Sequence, residues 1–196
     1  MSNTSTHSST RRLAEGGICI ALALVLSYIK IPIGLSFGGF GGSINLVMIP
    51  LILFAVRWGA PWGLLAGLAF GTLKYFFAEG FAVSWVSIIF DYSLAYAAVG
   101  FAGLLRAKNN NYSKLPIAAL VGCFGRFIIH FISGVTVYAQ YMPEEFMGMT
   151  MTSPVTYSIL YNGTYMLPNT ILAVIICALL MLSLIHISEP TRLQLI

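Results

Sequence analysis

The chain has 196 residues, of which 58% are hydrophobic and 8% charged, with a formal net charge of +4 and a mean hydropathy of +0.88. A soluble domain is about 45–50% apolar and about 25% charged, so this composition excludes a water-soluble globule and matches helices whose lipid-facing side chains stay apolar. The basic residues are scattered, without a Lys/Arg run, which argues against a nucleic-acid surface.

The lead, Met1 to Thr10, is rich in Ser and Thr, followed by Arg11, Arg12 and an apolar run from Leu13. No small-residue cleavage site follows that run, so residues 1–12 read as a disordered cytoplasmic lead to a retained first helix. Six spans are predicted. The first runs from about Leu13 to Ile29 and ends at Pro32 and Gly34. The stretch Lys30 to Ser43, with Pro32, Gly34, Gly38, Gly39, Gly41 and Gly42, reads as a flexible loop. The second span, Ile44 to Val56, is short, and Arg57-Trp58-Gly59 turns the chain into a third that Pro61 opens and Phe77 closes. Glu79-Gly80 marks a loop. The fourth span covers Val83 to Leu105, and the polar loop Arg106 to Lys114 leads into the fifth, Leu115 to Val137. A long loop, Tyr138 to Pro154, carries Glu144, Glu145 and several methionines, and the sixth span starts near Val155.

Residues 182–196 stand apart. The string from Leu182 to Arg192 resembles the translation of a transposon-based sequencing adapter. The tail is expected to be read-through, with the native membrane domain over residues 13–181 and His186 and Glu189 set aside.

Charge orients the bundle. With the N-terminus inside, the internal segments hold Arg11, Arg12, Arg57, Arg106, Lys108 and Lys114, against Lys30, Glu79, Glu144 and Glu145 outside. Lys and Arg favour the cytoplasmic side, which predicts a cytoplasmic N-terminus. Gly63, Gly67 and Gly71 share a helix face suited to close packing. Cys19, Cys123 and Cys177 lie in apolar segments and read as buried free thiols, with no metal-ligand spacing.

Three groups of polar residues lie where they are costly. Asp91 sits well inside the fourth span, where a charge costs about 2.5–3.5 kcal/mol on insertion scales. It reads as the counter-ion of a cationic ligand, as the carrier of a coupling proton, or as the partner of Arg126. Arg126 and His130 are spaced i, i+4 on one helix face, which Gly134 extends. The sixth span opens with Tyr157, Tyr161, Asn162, Thr164 and Tyr165. Tyrosines there are commonly interfacial anchors, but an amide inside a span needs partners. An anion, an imidazole, an amide and several rings converging on one end suit a flat, polar, cationic aromatic ligand. The chain lacks a Gly-x-Ser-x-Gly, an HExxH and a phosphate loop, so neither a nucleophile elbow nor a nucleotide site is expected.

Four strings carry a resemblance to a known family. They are Met48-Ile49-Pro50-Leu51; Asp91-Tyr92-Ser93-Leu94-Ala95-Tyr96 with Gly100-Phe101-Ala102-Gly103; Arg126 with His130-Phe131-Ile132-Ser133-Gly134-Val135; and Tyr157 with Tyr161-Asn162-Gly163. The chain resembles the S components of energy-coupling factor (ECF) vitamin transporters, most closely the thiamine-specific ones. The resemblance implies an all-α integral membrane bundle of six transmembrane helices in the bacterial plasma membrane, with both ends cytoplasmic. It implies a vitamin site near the outer face, with the first loop as its lid. It makes the protein a high-affinity capture subunit with thiamine as ligand and no cofactor, docking on a transmembrane subunit driven by two ATPase subunits, and not an enzyme. By motif, the ligand contacts fall on Asp91, Tyr92, His130, Gly134, Tyr157 and Asn162. Tyr138 stands where family members often carry Trp, and Asp91 is one methylene shorter than the Glu of some members. The small-xxx-small docking motif of the first helix falls on Gly17 and Ala21. Two alternatives stand beside this reading: an S component for riboflavin or a thiamine precursor, and a proton-coupled carrier or intramembrane enzyme using Asp91 and His130.

Overall fold

The structure, a computed structural model, describes residues 3–33, 41–78, 80–108 and 111–188, with side chains from residue 9 to residue 184 within those stretches. The middle of the glycine loop with Gly34, Gly38 and Gly39, the loop residue Glu79, and the tail from Glu189 lie outside them.

Six helices follow one another: α1 (Asn3–Ser27), α2 (Met48–Trp58), α3 (Ala60–Phe77), α4 (Trp85–Leu105), α5 (Leu115–Thr136) and α6 (Pro154–Ser188). Three of them, α4, α5 and α6, are long and apolar enough to cross a membrane. The bundle wears an apolar belt, in which Leu13, Ile18, Leu65, Leu104, Phe124, Leu167, Ile175 and Leu179 all stand largely exposed. In water that surface would be strongly unfavourable, so the fold is that of an integral membrane protein.

α2 is the buried centre. Its eleven residues span about 16 Å at about 1.5 Å per residue, too short for a bilayer core of about 30 Å. Met48, Leu51, Ile52, Ala55 and Val56 are almost wholly buried and meet Phe70, Tyr96, Val99, Leu115 and Cys123 from the surrounding helices. Gly59 ends it at φ +93°, a conformation that suits glycine, and its N–H closes on Ala55 O at 2.7 Å. Pro61 then opens α3, where a missing N–H costs nothing.

The glycine face of α3 sets the backbone of α4. A Cβ at Gly63, Gly67 or Gly71 would run into Gly100, the Tyr96 carbonyl and the Tyr92 carbonyl respectively. α3 therefore rests directly on the α4 main chain, as small residues allow. α4 is not one regular helix. A capping box between Ser84 and Ser87 starts it, Ile89–Leu94 form a π-helical turn, Ala95–Val99 return to α, and Gly100–Leu105 finish as 3₁₀. The sequence predicts a plain span here, because apolar content fixes length and not hydrogen-bond register. Asp91 and Tyr92 lie inside the π turn, and such turns recur at functional sites.

Other expectations are corrected at the ends of elements. α1 begins at Asn3, so it runs through residues 3–12, expected as a disordered lead. Extending an existing helix is far cheaper than starting one, and Arg11 bridges the expected boundary to Glu15 at 2.8 Å. The flanks of the glycine loop form a short antiparallel ribbon, β1 (Ile31–Pro32) with β2 (Ser43–Ile44), pairing Ile31 with Ile44 and Pro32 with Ser43. The loop after α5 holds a 3₁₀ turn, Ala139–Tyr141, and a hairpin, β3 (Glu145–Phe146) with β4 (Met149–Thr150), turned by Met147 and Gly148 at positive φ.

At the opposite end of the bundle from both ribbons, Glu15 gathers α1 against α2. It accepts from Arg57 Nε at 2.7 Å and Trp58 Nε1 at 2.8 Å. Arg12 lies over the rings of Trp58 and Trp62.

Candidate functional site

A cavity of about 540 Å³ opens at the end of the bundle where α1, α3 and α5 finish and α4 and α6 begin. Helix α3 contributes Lys74, α4 Asp91, Tyr92 and Tyr96, α5 Arg126, His130 and Gly134, and α6 Tyr157, Ser158, Tyr161, Asn162 and Tyr165. The β1–β2 ribbon adds Lys30, Pro32, Gly41, Gly42 and Ser43, and the loop after α5 adds Tyr138.

A chain of charged and polar groups crosses its deep side. Arg126 Nε lies 3.2 Å from His130 Nε2, and His130 Nδ1 lies 3.2 Å from Asp91 Oδ1. Arg126 is 5% exposed and His130 8%. The Arg126 guanidinium also stacks over the Tyr96 ring, 4.2 Å from its centroid, and the Lys74 ammonium sits 5.4 Å from the same ring. The alternative of a direct Asp91–Arg126 pair is not what forms, because His130 stands between them. Asp91 Oδ2 is buried without a hydrogen-bond partner, as is Arg126 Nη1. A buried carboxylate oxygen left open in this way favours a ligand that brings a positive charge or a donor. Asp91 is the one carboxylate among the described lining residues, against Lys30, Lys74 and Arg126.

Tyr138 stands beside Asp91 and Ser87. Burial first, then the negative charge of Asp91, pushes its phenol above the usual tyrosine range. It therefore stays protonated at any physiological pH and remains a donor at the mouth of the site. Tyr92 is used differently. Its hydroxyl donates to Phe81 O at 2.9 Å and accepts from Phe81 N at 2.6 Å, pinning the α3–α4 loop, while its ring meets Tyr75 edge-on at 5.2 Å.

The α6 wall is aromatic. Tyr157 stacks on Tyr161 at 5.6 Å, Phe146 of the hairpin meets both edge-on, and Tyr161 meets Tyr165 edge-on at 6.0 Å. The Asn162 amide is engaged by the protein on both sides. Its Nδ2 donates to Ser158 O at 2.9 Å and His130 O at 3.3 Å, and its Oδ1 accepts from Tyr165 Oη at 2.5 Å. Gly134 lets α5 reach α6 here, since a Cβ would collide with Ser158 Oγ.

The ribbon over the cavity is tied to the same helix. The Tyr161 hydroxyl donates to the Gly41 carbonyl. Asn169 Oδ1 accepts from Asn45 N at 2.9 Å, and its Nδ2 donates to Ser43 O at 2.8 Å. Gly42, at φ +95°, passes so close over the Tyr165 ring that no side chain fits there.

Asp91, Tyr92, His130, Gly134, Tyr138, Tyr157 and Asn162, singled out in the sequence, all line this one cavity. Gly17 and Ala21 do not. They lie exposed on α1, and a Cβ at Gly17 would meet nothing within 4 Å, so they serve no packing inside the described chain. Gly16, packed against Phe54, does that instead. Sequence reasoning missed Lys74, although a lysine three residues from the end of an apolar span carries the same signal as Asp91. It also missed Asn169 and Tyr96, whose roles depend on which neighbours the fold supplies. Among the described residues no cluster of metal-ligating side chains occurs.

Residues 13–189 match the family model described as Thiamine transporter protein (Thia_YuaJ). The chain is 33% identical over 187 residues to the thiamine transporter ThiT of Bacillus subtilis, covering 87% of this chain and 90% of that one. It is 26% identical over 190 residues to ThiT of Lacticaseibacillus paracasei, covering 89% of each. The fold superposes on a solved structure of ThiT from Listeria monocytogenes with a TM-score of 0.75 and 26% identity, covering 90% of this chain and 96% of the other.

Proposed function

This chain belongs to the thiamine transporter protein (Thia_YuaJ) family, and from that premise we propose that it captures thiamine as the S component of an ECF-type importer. The family is one of transporters and not of enzymes. One observation carries the ligand assignment: Asp91, a partly buried carboxylate whose Oδ2 has no hydrogen-bond partner, lies in the lining of a cavity that also holds the stacked Tyr157 and Tyr161. Thiamine pairs a fixed positive charge on a five-membered ring with a flat aminopyrimidine. The cation takes Asp91 as counter-ion, and the rings lie against Tyr157 and Tyr161. His130 and Asn162, whose polar atoms are engaged within the protein, shape the pocket beside the α5–α6 contact at Gly134, and Tyr138 donates from the loop. Tyr92 acts one step back, holding the α3–α4 loop.

The six-helix bundle sits in the cell membrane with the N-terminus in the cytoplasm, which places the cavity and both ribbons outside. Capture is tight and needs no energy of its own. Transport follows when α1, with Gly17 and Ala21 exposed on its surface, docks on a transmembrane subunit driven by two ATPases. The bilayer and these subunits are the partners.

The Asp91–His130 pair favours one second reading, a carrier that moves a proton with its cargo. Reconstituted uptake separates the two. In proteoliposomes, labelled thiamine should accumulate only when the energising subunits and ATP are present, and the chain alone should bind without accumulating. Accumulation by the chain alone, driven by a proton gradient, would refute the S-component reading.

A further inference from the structure

We propose that Arg126 is a positioning residue of this site: it holds His130 in the neutral tautomer protonated on Nδ1, so that His130 donates to Asp91 and leaves Asp91 a full carboxylate with Oδ2 uncommitted. The argument is one of donors and acceptors. A guanidinium carries five N–H donors and no acceptor, and a carboxylate only accepts. Arg126 Nε lies 3.2 Å from His130 Nε2, so Nε2 must offer its lone pair. A neutral imidazole has one N–H, which then sits on Nδ1, 3.2 Å from Asp91 Oδ1. This assignment, read from the hydrogen-bond network, satisfies both contacts together. The other tautomer would set N–H against N–H at Arg126 and a lone pair against the carboxylate at Asp91. An imidazolium would keep the first conflict.

Arg126 is held in place to do this. Its guanidinium carbon is 4.2 Å from the Tyr96 ring centroid, with Lys74 5.4 Å from that ring. The titratable and charged groups that line the cavity with His130 are Lys74 from α3, Asp91, Tyr92 and Tyr96 from α4, Arg126 on its own helix, Tyr157, Tyr161 and Tyr165 from α6, the last at 5.9 Å between ring centroids, and Tyr138 and Lys30 at the cavity mouth. Two cations nearby disfavour a third charge on the imidazole, and Asp91 alone favours it. Without Arg126 the balance shifts: Nε2 becomes free to take a proton, and an imidazolium beside Asp91 would cancel the charge that the ligand cation needs. Only this consequence for affinity rests on the thiamine reading. The tautomer does not.

The test uses the full chain in lipid nanodiscs. His7→Gln and His186→Gln leave His130 as the single imidazole of the three histidines. Nitrogen-15 NMR then reports which ring nitrogen bears the proton. The expected spectrum shows the proton on Nδ1, unchanged from pH 8 to pH 5.5. In this background thiamine affinity, by calorimetry, should change less than about threefold over that range. In Arg126→Gln it should weaken about tenfold as pH falls to 5.5, since about one ring in eleven stays neutral a full unit below the ordinary imidazole value of about 6.5. Arg126→Lys, also a pure donor, should restore the flat profile. A proton on Nε2 or an imidazolium in the background protein would overturn the proposal, as would a flat profile in Arg126→Gln. The spectrum decides alone if that variant fails to fold. The expected spectrum with no thiamine binding at any pH would sink the thiamine reading and leave the positioning role standing.

Discussion

Replacing Asp91 by Asn removes one negative charge from the cavity and changes little else. The amide keeps an oxygen where Oδ1 accepts from His130 at 3.2 Å, so the polar chain through Arg126 survives. What is lost is the attraction between the carboxylate and a ligand cation. At about 4 Å and an effective dielectric of about 20, that attraction is about 4 kcal/mol, close to a thousandfold in Kd. Lys74 and Arg126 oppose the cation in both proteins, so their repulsion cancels in the difference. Water reaching a side chain that is 16% exposed reduces the effect, and a loss of about 100- to 1000-fold is expected. Asp91→Glu, which keeps the charge, should lose far less. The assay is calorimetric titration of thiamine into purified protein, beside a neutral analogue in which the thiazolium is replaced by an uncharged ring. Asp91→Asn should bind the neutral analogue at least as tightly as thiamine, because Lys74 and Arg126 still repel the cation. A thiamine affinity within threefold of the parent would refute the counter-ion role.

Further outcomes follow from the packing. Gly134→Val should weaken thiamine binding at least about tenfold, because its Cβ meets Ser158 Oγ and comes within 3.4 Å of Asn162 Nδ2, prising α5 from α6; calorimetry with the purified variant checks this. Glu15→Gln should lower thermal stability by on the order of 1 kcal/mol, since its contacts to Arg11, Arg57 and Trp58 are partly solvated. That is a fall of about 2–4 °C in a melting curve, with Kd unchanged because Glu15 lies at the other end of the bundle. Gly17→Leu should leave thiamine binding intact and abolish ATP-driven uptake in proteoliposomes with the energising subunits, because the side chain grows outward from α1.

The site was more legible in the sequence than the fold that frames it, and the reason is energetic. A charge, an imidazole or an amide inside an apolar span is costly enough to announce itself, and Asp91, His130 and Asn162 were found that way. Lys74 carries the same signal and was passed over, because it lies near the end of its span, where lysines commonly reach the interface. The π turn around Asp91 left no mark in the sequence pattern. It coincides with a tertiary contact: Gly71 brings α3 onto the carbonyl of Tyr92 within the turn, and Gly67 onto that of Tyr96 just after it. Asn162 shows a further limit. Its need for partners was readable, but that Ser158, His130 and Tyr165 supply them was not. Helix ends were misjudged where only local context decides, as at Asn3, where the Arg11–Glu15 pair carries the helix back into the polar lead.

Thiamine binding by the purified chain alone, without ATP or a proton gradient, tests the central claim most directly. Calorimetry suits it, because Trp58, Trp62 and Trp85 all lie outside the cavity lining. The account predicts saturable binding of one thiamine per chain, with riboflavin silent under the same conditions. No binding of thiamine by well-folded protein, or binding of riboflavin in its place, would contradict it.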